Sequence, residues 1–155
     1  MVTTAVLDFD EFFNVYHQAV AEFVKGDPEP LKNLFSRRKD VSLAHAFGGI
    51  MRGWRAVSEA EERAAAIYRE GTASFENVVR YVTPDFAYVV EFEDYKAKLG
   101  GRPDASEVSL RITSIFRLED GAWKLAHRHA DPLITPQSTE TVIKDKLCIG
   151  SRCYF

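Results

Sequence analysis

His127, His129 and Asp131 are spaced two apart near the end of the run AWKLAHRHAD, whose alternation is that of a β-strand. In a regular strand that spacing puts all three on one face, in a row with Trp123 and Leu125. An imidazole titrates near neutral pH, and a neighbouring carboxylate fixes its tautomer and raises its basicity, so the pattern suits general acid–base chemistry. His129 is the expected proton-transfer group, supported by Asp131, with His127 and His45 orienting or polarising a substrate. Two residues deeper, His127 reads equally well as a structural residue bonded to a backbone carbonyl. The H-x-H pair, with His45 and Asp131, also has the make-up of a metal site. Alternation gives that spacing to any two strand histidines, so neither a metal nor a cofactor is expected.

A site needs walls. Tyr16, Trp54, Tyr88, Phe92 and Trp123 offer apolar surface with polar handles, and Ser114 adds a hydroxyl. Together they predict a cavity for a small apolar or aromatic ligand. Nucleophilic catalysis finds little support, because Ser114 is mid-strand without a sharp turn around it. Gly48-Gly49 and Gly100-Gly101 lack the lysine of a phosphate-cradling loop.

The elements that must hold these residues follow from periodicity. Residues 8–25 carry a helical stripe of Phe9, Phe12, Phe13, Tyr16, Ala19, Val20, Phe23 and Val24, opened by Asp8 with Glu11 three residues on and stopped at Gly26. His17 lies beside the stripe and is expected to face solvent. A short helix over 28–36 follows, then a basic connector, Arg37-Arg38-Lys39-Asp40, which reads as a solvated turn. Residues 41–47 alternate as a strand. A helix is predicted over 56–70, with Val57, Ala60, Ala64, Ile67 and Tyr68 at helical spacing and Gly71 closing it. Strands are expected over 73–82 and 86–95, a flexible hairpin loop over 96–106, and a long hairpin over 108–131 turning at Asp120-Gly121. In the 86–95 strand, Phe86, Tyr88, Val90 and Phe92 are expected to join the inward row of Leu110 and Trp123. That leaves Glu91 and Glu93 outside with Arg111, Arg117, Lys124 and Arg128.

With 155 residues, 46% of them apolar and 28% charged, the chain suits one globular domain. Its net charge of −3 offers no basic footprint for nucleic acid. No apolar run approaches the ~18 residues that span a bilayer. The amino terminus lacks the features of a signal peptide, so a cytoplasmic location is the expectation. Cys148 and Cys153 lie in the tail as C-x4-C, without further zinc ligands nearby, and free thiols are expected.

FVKGDPEPLKNLFS, DVSLAHAFGG followed by GW, and above all SIFRLEDGAWKLAHRHADP resemble the SnoaL-like branch of the nuclear-transport-factor-2-like superfamily, also called the cystatin-like cone. The resemblance implies an α+β fold: a cone-shaped, curved antiparallel sheet wrapped around three N-terminal helices, over 1–132, with 133–155 as a C-terminal extension. It also implies a pocket in the cone's mouth and commonly a homodimer through the sheet, here through Arg111, Arg117, Arg128, Val89 and Ile115. The superfamily holds ketosteroid isomerases, dehydratases, cyclases and assembly modules without chemistry. Against the isomerases this sequence has Ala44 or His45 where the base belongs, Ser114 for the buried acid and Gln18 near the helical tyrosine. The expectation is therefore a small-molecule-binding protein with a cofactor-free lyase, isomerase or cyclase activity. A non-catalytic ligand-binding or dimeric interaction module is the alternative.

Overall fold

The computed structural model describes residues 8–143. Helix α1 (Phe9–Phe23) opens with a reciprocal cap: Asp8 Oδ1 accepts from the Glu11 backbone N–H at 2.8 Å, and Glu11 returns the contact to the Asp8 N–H at 3.1 Å. Its apolar stripe is buried as expected, from Phe9 to Phe23. After α2 (Glu29–Leu34) come β1 (Ser42–Ala44), β2 (Ile50–Arg52) and α3 (Trp54–Ala65). Four long strands complete the domain: β3 (Tyr68–Val82), β4 (Phe86–Leu99), β5 (Ala105–Glu119) and β6 (Ala122–Asp131).

These strands form one six-stranded sheet in the order β2-β1-β6-β5-β4-β3. It is curved and unclosed, an α+β cone around the helices, as expected. One pairing departs from the antiparallel expectation: β1 runs parallel to β6, with Leu43 opposite Arg128. The β5–β6 turn has Asp120 at φ 50° and Gly121 at φ 80°, the paired positive angles of a type I′ hairpin. Aromatic rings fill the cone near the start of α1, where Phe9 meets Trp123 at 5.0 Å and Phe116 at 5.4 Å.

Several boundaries differ from expectation, among them the strand expected over 41–47, which is only Ser42–Ala44 and pairs with an unexpected β2. The third helix stops at Ala65, and Ile67 and Tyr68 lead into β3 rather than continuing the helical stripe. Gly71 does not close a helix. A side chain there would place Cβ 2.2 Å from the Val24 carbonyl oxygen, so the strand passes the end of α1 too closely for anything but glycine. The 96–106 stretch is mostly ladder, since β4 runs to Leu99 and β5 starts at Ala105. Among the described residues, no helix is long and apolar enough to cross a membrane. Cys148 and Cys153 lie outside the described residues, and with them most of the expected extension.

Candidate functional site

The decisive local feature is a bulge in β6. Phe116 pairs with Leu125 and Ile115 with His127, which leaves Ala126 without an opposite residue. One extra residue shifts a strand's alternation by one. Trp123 and Leu125 face the helices, and beyond the bulge Arg128 and Ala130 do so too. His127 and His129 turn to the outer face. The expected single row of Trp123, Leu125, His127, His129 and Asp131 is therefore not formed.

On that outer face His127 Nδ1 lies 2.8 Å from Ser42 Oγ. His129 is 52% exposed and its Nε2 is 3.6 Å from Asp131 Oδ2. Asp131 is held by Arg111 at 3.0 and 3.2 Å. Burial and the nearby His129 lower the His127 pKa, against the raising effect of the Ser42 backbone. His45 does not join this group, since it follows Leu43 on the side that pairs with Arg128. Among the described residues, no three His, Cys, Asp or Glu side chains are arranged to hold a metal ion.

The inner face holds a different cluster. On β4 the buried row is Ala87, Val89, Glu91, Glu93, Tyr95 and Ala97, the reverse of the expected orientation. The glutamates can be inside because partners meet them there, while Tyr88 and Phe92 take the outer face, where Tyr88 stacks on Tyr81 at 5.7 Å. Arg128 Nη2 donates to Glu93 at 2.5 Å and to the Tyr95 hydroxyl at 3.3 Å, and its Nε donates to Tyr16 Oη at 3.1 Å. Tyr16 in turn lies 3.0 Å from Ser114 Oγ and donates to Glu93 at 3.2 Å, while Tyr95 also donates to Glu93. Among the described residues Arg128 Nη1 makes no hydrogen bond. Burial works against the Arg128 charge, but Glu93, Tyr16, Tyr95 and Glu61 raise its pKa well above the ordinary value.

Beside this network sits Glu61 of α3, 1% exposed, with Oε1 lacking any hydrogen-bond partner. Burial pushes its carboxyl up to about 7, with Arg128 opposing the rise and Glu93 adding to it. Glu91, also fully buried, accepts from Asn77 at 2.8 Å, and its Oε2 lies 2.9 Å from His17 Nε2. Burial raises the Glu91 pKa, the His17 bond lowers it, and Glu93 raises it further. His17 is thus not the solvent-facing residue expected: its ring stacks on Phe75 at 3.8 Å.

A line of rings connects the cluster to solvent. Tyr95 meets Tyr68 edge-on at 6.0 Å, Tyr68 lies 6.5 Å from Phe47, and Phe47 stacks on His45 at 5.2 Å. Phe47 is 60% exposed, on the turn after β1. Burial, then the Arg128 charge, push His45 down to about 4, so it is a neutral imidazole at physiological pH. Burial pushes the Tyr68 hydroxyl up to about 12, so it stays protonated.

Of the expected ligand-lining residues, the structure brings Tyr16 and Ser114 into the inner cluster. Trp123 is in the aromatic core, Tyr88 and Phe92 are outside, and Trp54 is half-buried at the edge of the core under Arg37, whose guanidinium carbon is 3.2 Å from the ring centroid. Missed from sequence were Glu61, Glu91, Glu93, Tyr95 and Arg128. Glu61 had a signal: it falls four residues after Val57 and three before Ala64, inside the core stripe of its helix.

A neutral-range carboxyl beside a fixed guanidinium can give and take a proton while the cation stabilises negative charge. Residues 8–135 match the model of the SnoaL-like domain. The chain belongs to this family. No protein of curated function matches its sequence significantly. The SnoaL-like chain is similar to solved structures of the wider nuclear-transport-factor-2-like superfamily. One is a proposed dehydratase of that family from Streptomyces avermitilis, 25% identical over 79% of this chain and 91% of the other, with a TM-score of 0.63. Another is a nuclear-transport-factor-2-like protein from Salmonella enterica, 18% identical over 82% and 87%, TM-score 0.67. A third is a proposed calcium/calmodulin-dependent protein kinase II association domain from Xanthomonas campestris, 16% identical over 86% and 98%, TM-score 0.66.

Proposed function

We propose that this SnoaL-like protein binds a small organic molecule beneath the His45–Phe47 turn and catalyses a cofactor-free lyase or isomerase step. Glu61 moves the proton, and Arg128 holds the oxygen on which charge develops. The observation that carries this reading is the orphaned Glu61 Oε1, a buried carboxyl oxygen without a partner, on a group whose pKa is about 7. A buried polar atom left unpaired costs about 1–3 kcal/mol, which a ligand's hydrogen-bonding group recovers on binding. Tyr68 and neutral His45 line the way in and exclude water. In a β-hydroxy carbonyl substrate, Glu61 carboxylate would take the α-proton, the carbonyl oxygen would lie against Arg128 Nη1, and Glu61 would return that proton to the β-hydroxyl as the C–O bond breaks, releasing water and leaving the α,β-double bond.

The test is solvent-deuterium incorporation into a panel of small cyclic ketones and β-hydroxy carbonyl compounds, followed by NMR. At least one compound exchanges its α-proton faster with protein than with buffer, and Glu61→Gln abolishes the gain. Equal exchange with both proteins removes Glu61 from the mechanism.

A second reading has its own observation. Tyr16, Glu93, Tyr95, Ser114 and Arg128 satisfy one another inside the cone, as a structural network does in a non-catalytic binding or assembly module. In either reading a second copy of the chain covers the outer sheet face around Arg111, Ile115 and Arg117. Arg128 and Val89 have no part in that contact, because both face inward. Light scattering at micromolar concentration gives twice the chain mass if this is right, and a monomer mass rejects it.

A further inference from the structure

The surface opposite in character to the acidic chain as a whole is a cleft of about 590 Å³ where the basic connector faces the junction of β2 and α3. Arg37, Arg38, Lys39, Arg52 and Arg55 line it, with Glu59 the one carboxylate among the lining residues. Five cations against one anion, on a chain of net charge −3, is a concentration of charge that the sequence alone leaves as a solvated turn. Elsewhere in the fold Arg80, Arg111, Arg117 and Arg128 each hold a carboxylate. In the cleft Arg55 pairs with Glu59, and Arg38 reaches Glu119 and Asp120 only at 3.7 and 3.8 Å. Arg37, Lys39 and Arg52 have no acidic partner within 4 Å among the described residues.

Arg37 is the most constrained of the set. Its guanidinium carbon lies over the Trp54 ring, 3.2 Å from the centroid, a contact that orders the fork while leaving N–H donors available. Burial lowers its pKa, with Glu29 acting the other way. A guanidinium that is already ordered loses less freedom on gripping an anion than a free one does. The cleft's size is that of a small-molecule site, and its lining suits an anion with several charged oxygens better than a single carboxylate.

We propose that this cleft binds a small molecule carrying a pyrophosphate or two phosphate groups, with Arg37 and Arg52 as its principal contacts. It is separate from the Glu61 site and does not depend on that reading.

The test titrates the whole chain with inorganic pyrophosphate. Calorimetry and tryptophan fluorescence follow binding, since Trp54 lies under Arg37 and the other tryptophan, Trp123, is in the core. Saturable binding is expected, at least tenfold tighter than for acetate at matched ionic strength. Arg37→Gln and Arg52→Gln, on two different elements, each weaken it tenfold or more. Trp54→Phe removes the fluorescence change but leaves the heat, and Glu61→Gln leaves both unchanged. Pyrophosphate binding no tighter than acetate, or equal binding by both arginine variants, overturns the proposal. So does a short RNA that outcompetes pyrophosphate, which would make the cleft part of a longer backbone-binding surface.

Discussion

The two faces of β6 hold two sets of charged residues with opposite energetics. Outside, His129 pairs with Asp131 near water, where a charge costs little and a pair contributes little. Inside, Arg128 sits among Glu93, Tyr16 and Tyr95, where each charge depends on the others. The residues with the more familiar catalytic types are on the permissive face. The residues with the altered chemistry are on the demanding one. Residue type is a poorer guide to a site than environment, because environment decides what a carboxyl or an imidazole does at neutral pH.

Substitutions on the two faces separate them, most sharply at Arg128. Arg128→Met leaves Glu93 buried without its cation, and urea denaturation should show a loss of about 3–5 kcal/mol. If Arg128→Met unfolds like the wild type, the inner network contributes nothing and the contrast between the faces fails.

The next effect is a pH dependence. Glu61 has a folded-state pKa of about 7 against an ordinary value of 4.5, so between those values the folded protein binds more protons than the unfolded one. Its contribution is fully present below pH 4.5 and is lost as the pH rises through 7. Relative to Glu61→Gln, which cannot ionise, the wild type should lose on the order of 3 kcal/mol between pH 4.5 and pH 8. Parallel stability curves for the two proteins across that range would show that Glu61 is not perturbed.

His127→Ala is expected to be milder. It removes one bond to Ser42 on a half-buried side chain, and melting should report about 1 kcal/mol. Smallest of all are His129→Ala and Asp131→Ala, each within about 0.5 kcal/mol of wild type. Deuterium exchange of any substrate found should also be unchanged in both. A loss of turnover with intact stability in His129→Ala would move the chemistry to the outer face.

Much of the architecture was legible because it rests on local signals. The Asp8–Glu11 cap, the aromatic stripe of α1 and the Asp120-Gly121 hairpin each carry their own instructions. What escaped was set by long-range pairing. Alternation in β4 separates Glu91 and Glu93 from Tyr88 and Phe92, but only the partners Arg128, Tyr95 and His17 make the glutamate side the inner one. Tyr95 is on β4 itself, but Arg128 comes from β6 and His17 from α1, the latter 74 residues from Glu91. The β6 bulge is invisible for a related reason, since an unpaired residue exists only relative to the strand beside it. Ala126 is small enough to sit in that place without announcing itself.

The bulge makes β6 sensitive to parity rather than to identity. With Ala126 deleted, the strand would read Trp123 in, Lys124 out, Leu125 in, His127 out and Arg128 in, which is simple alternation. Losing that residue straightens the ladder and leaves every neighbour on its present side. Adding one residue between His127 and Arg128 does the reverse: it sends the guanidinium to solvent and a histidine or its neighbour toward Glu93. Insertions and deletions in this strand therefore sort by what they do to the bulge: loss of the extra residue leaves Arg128 inside, and a further residue added after an intact bulge turns it out.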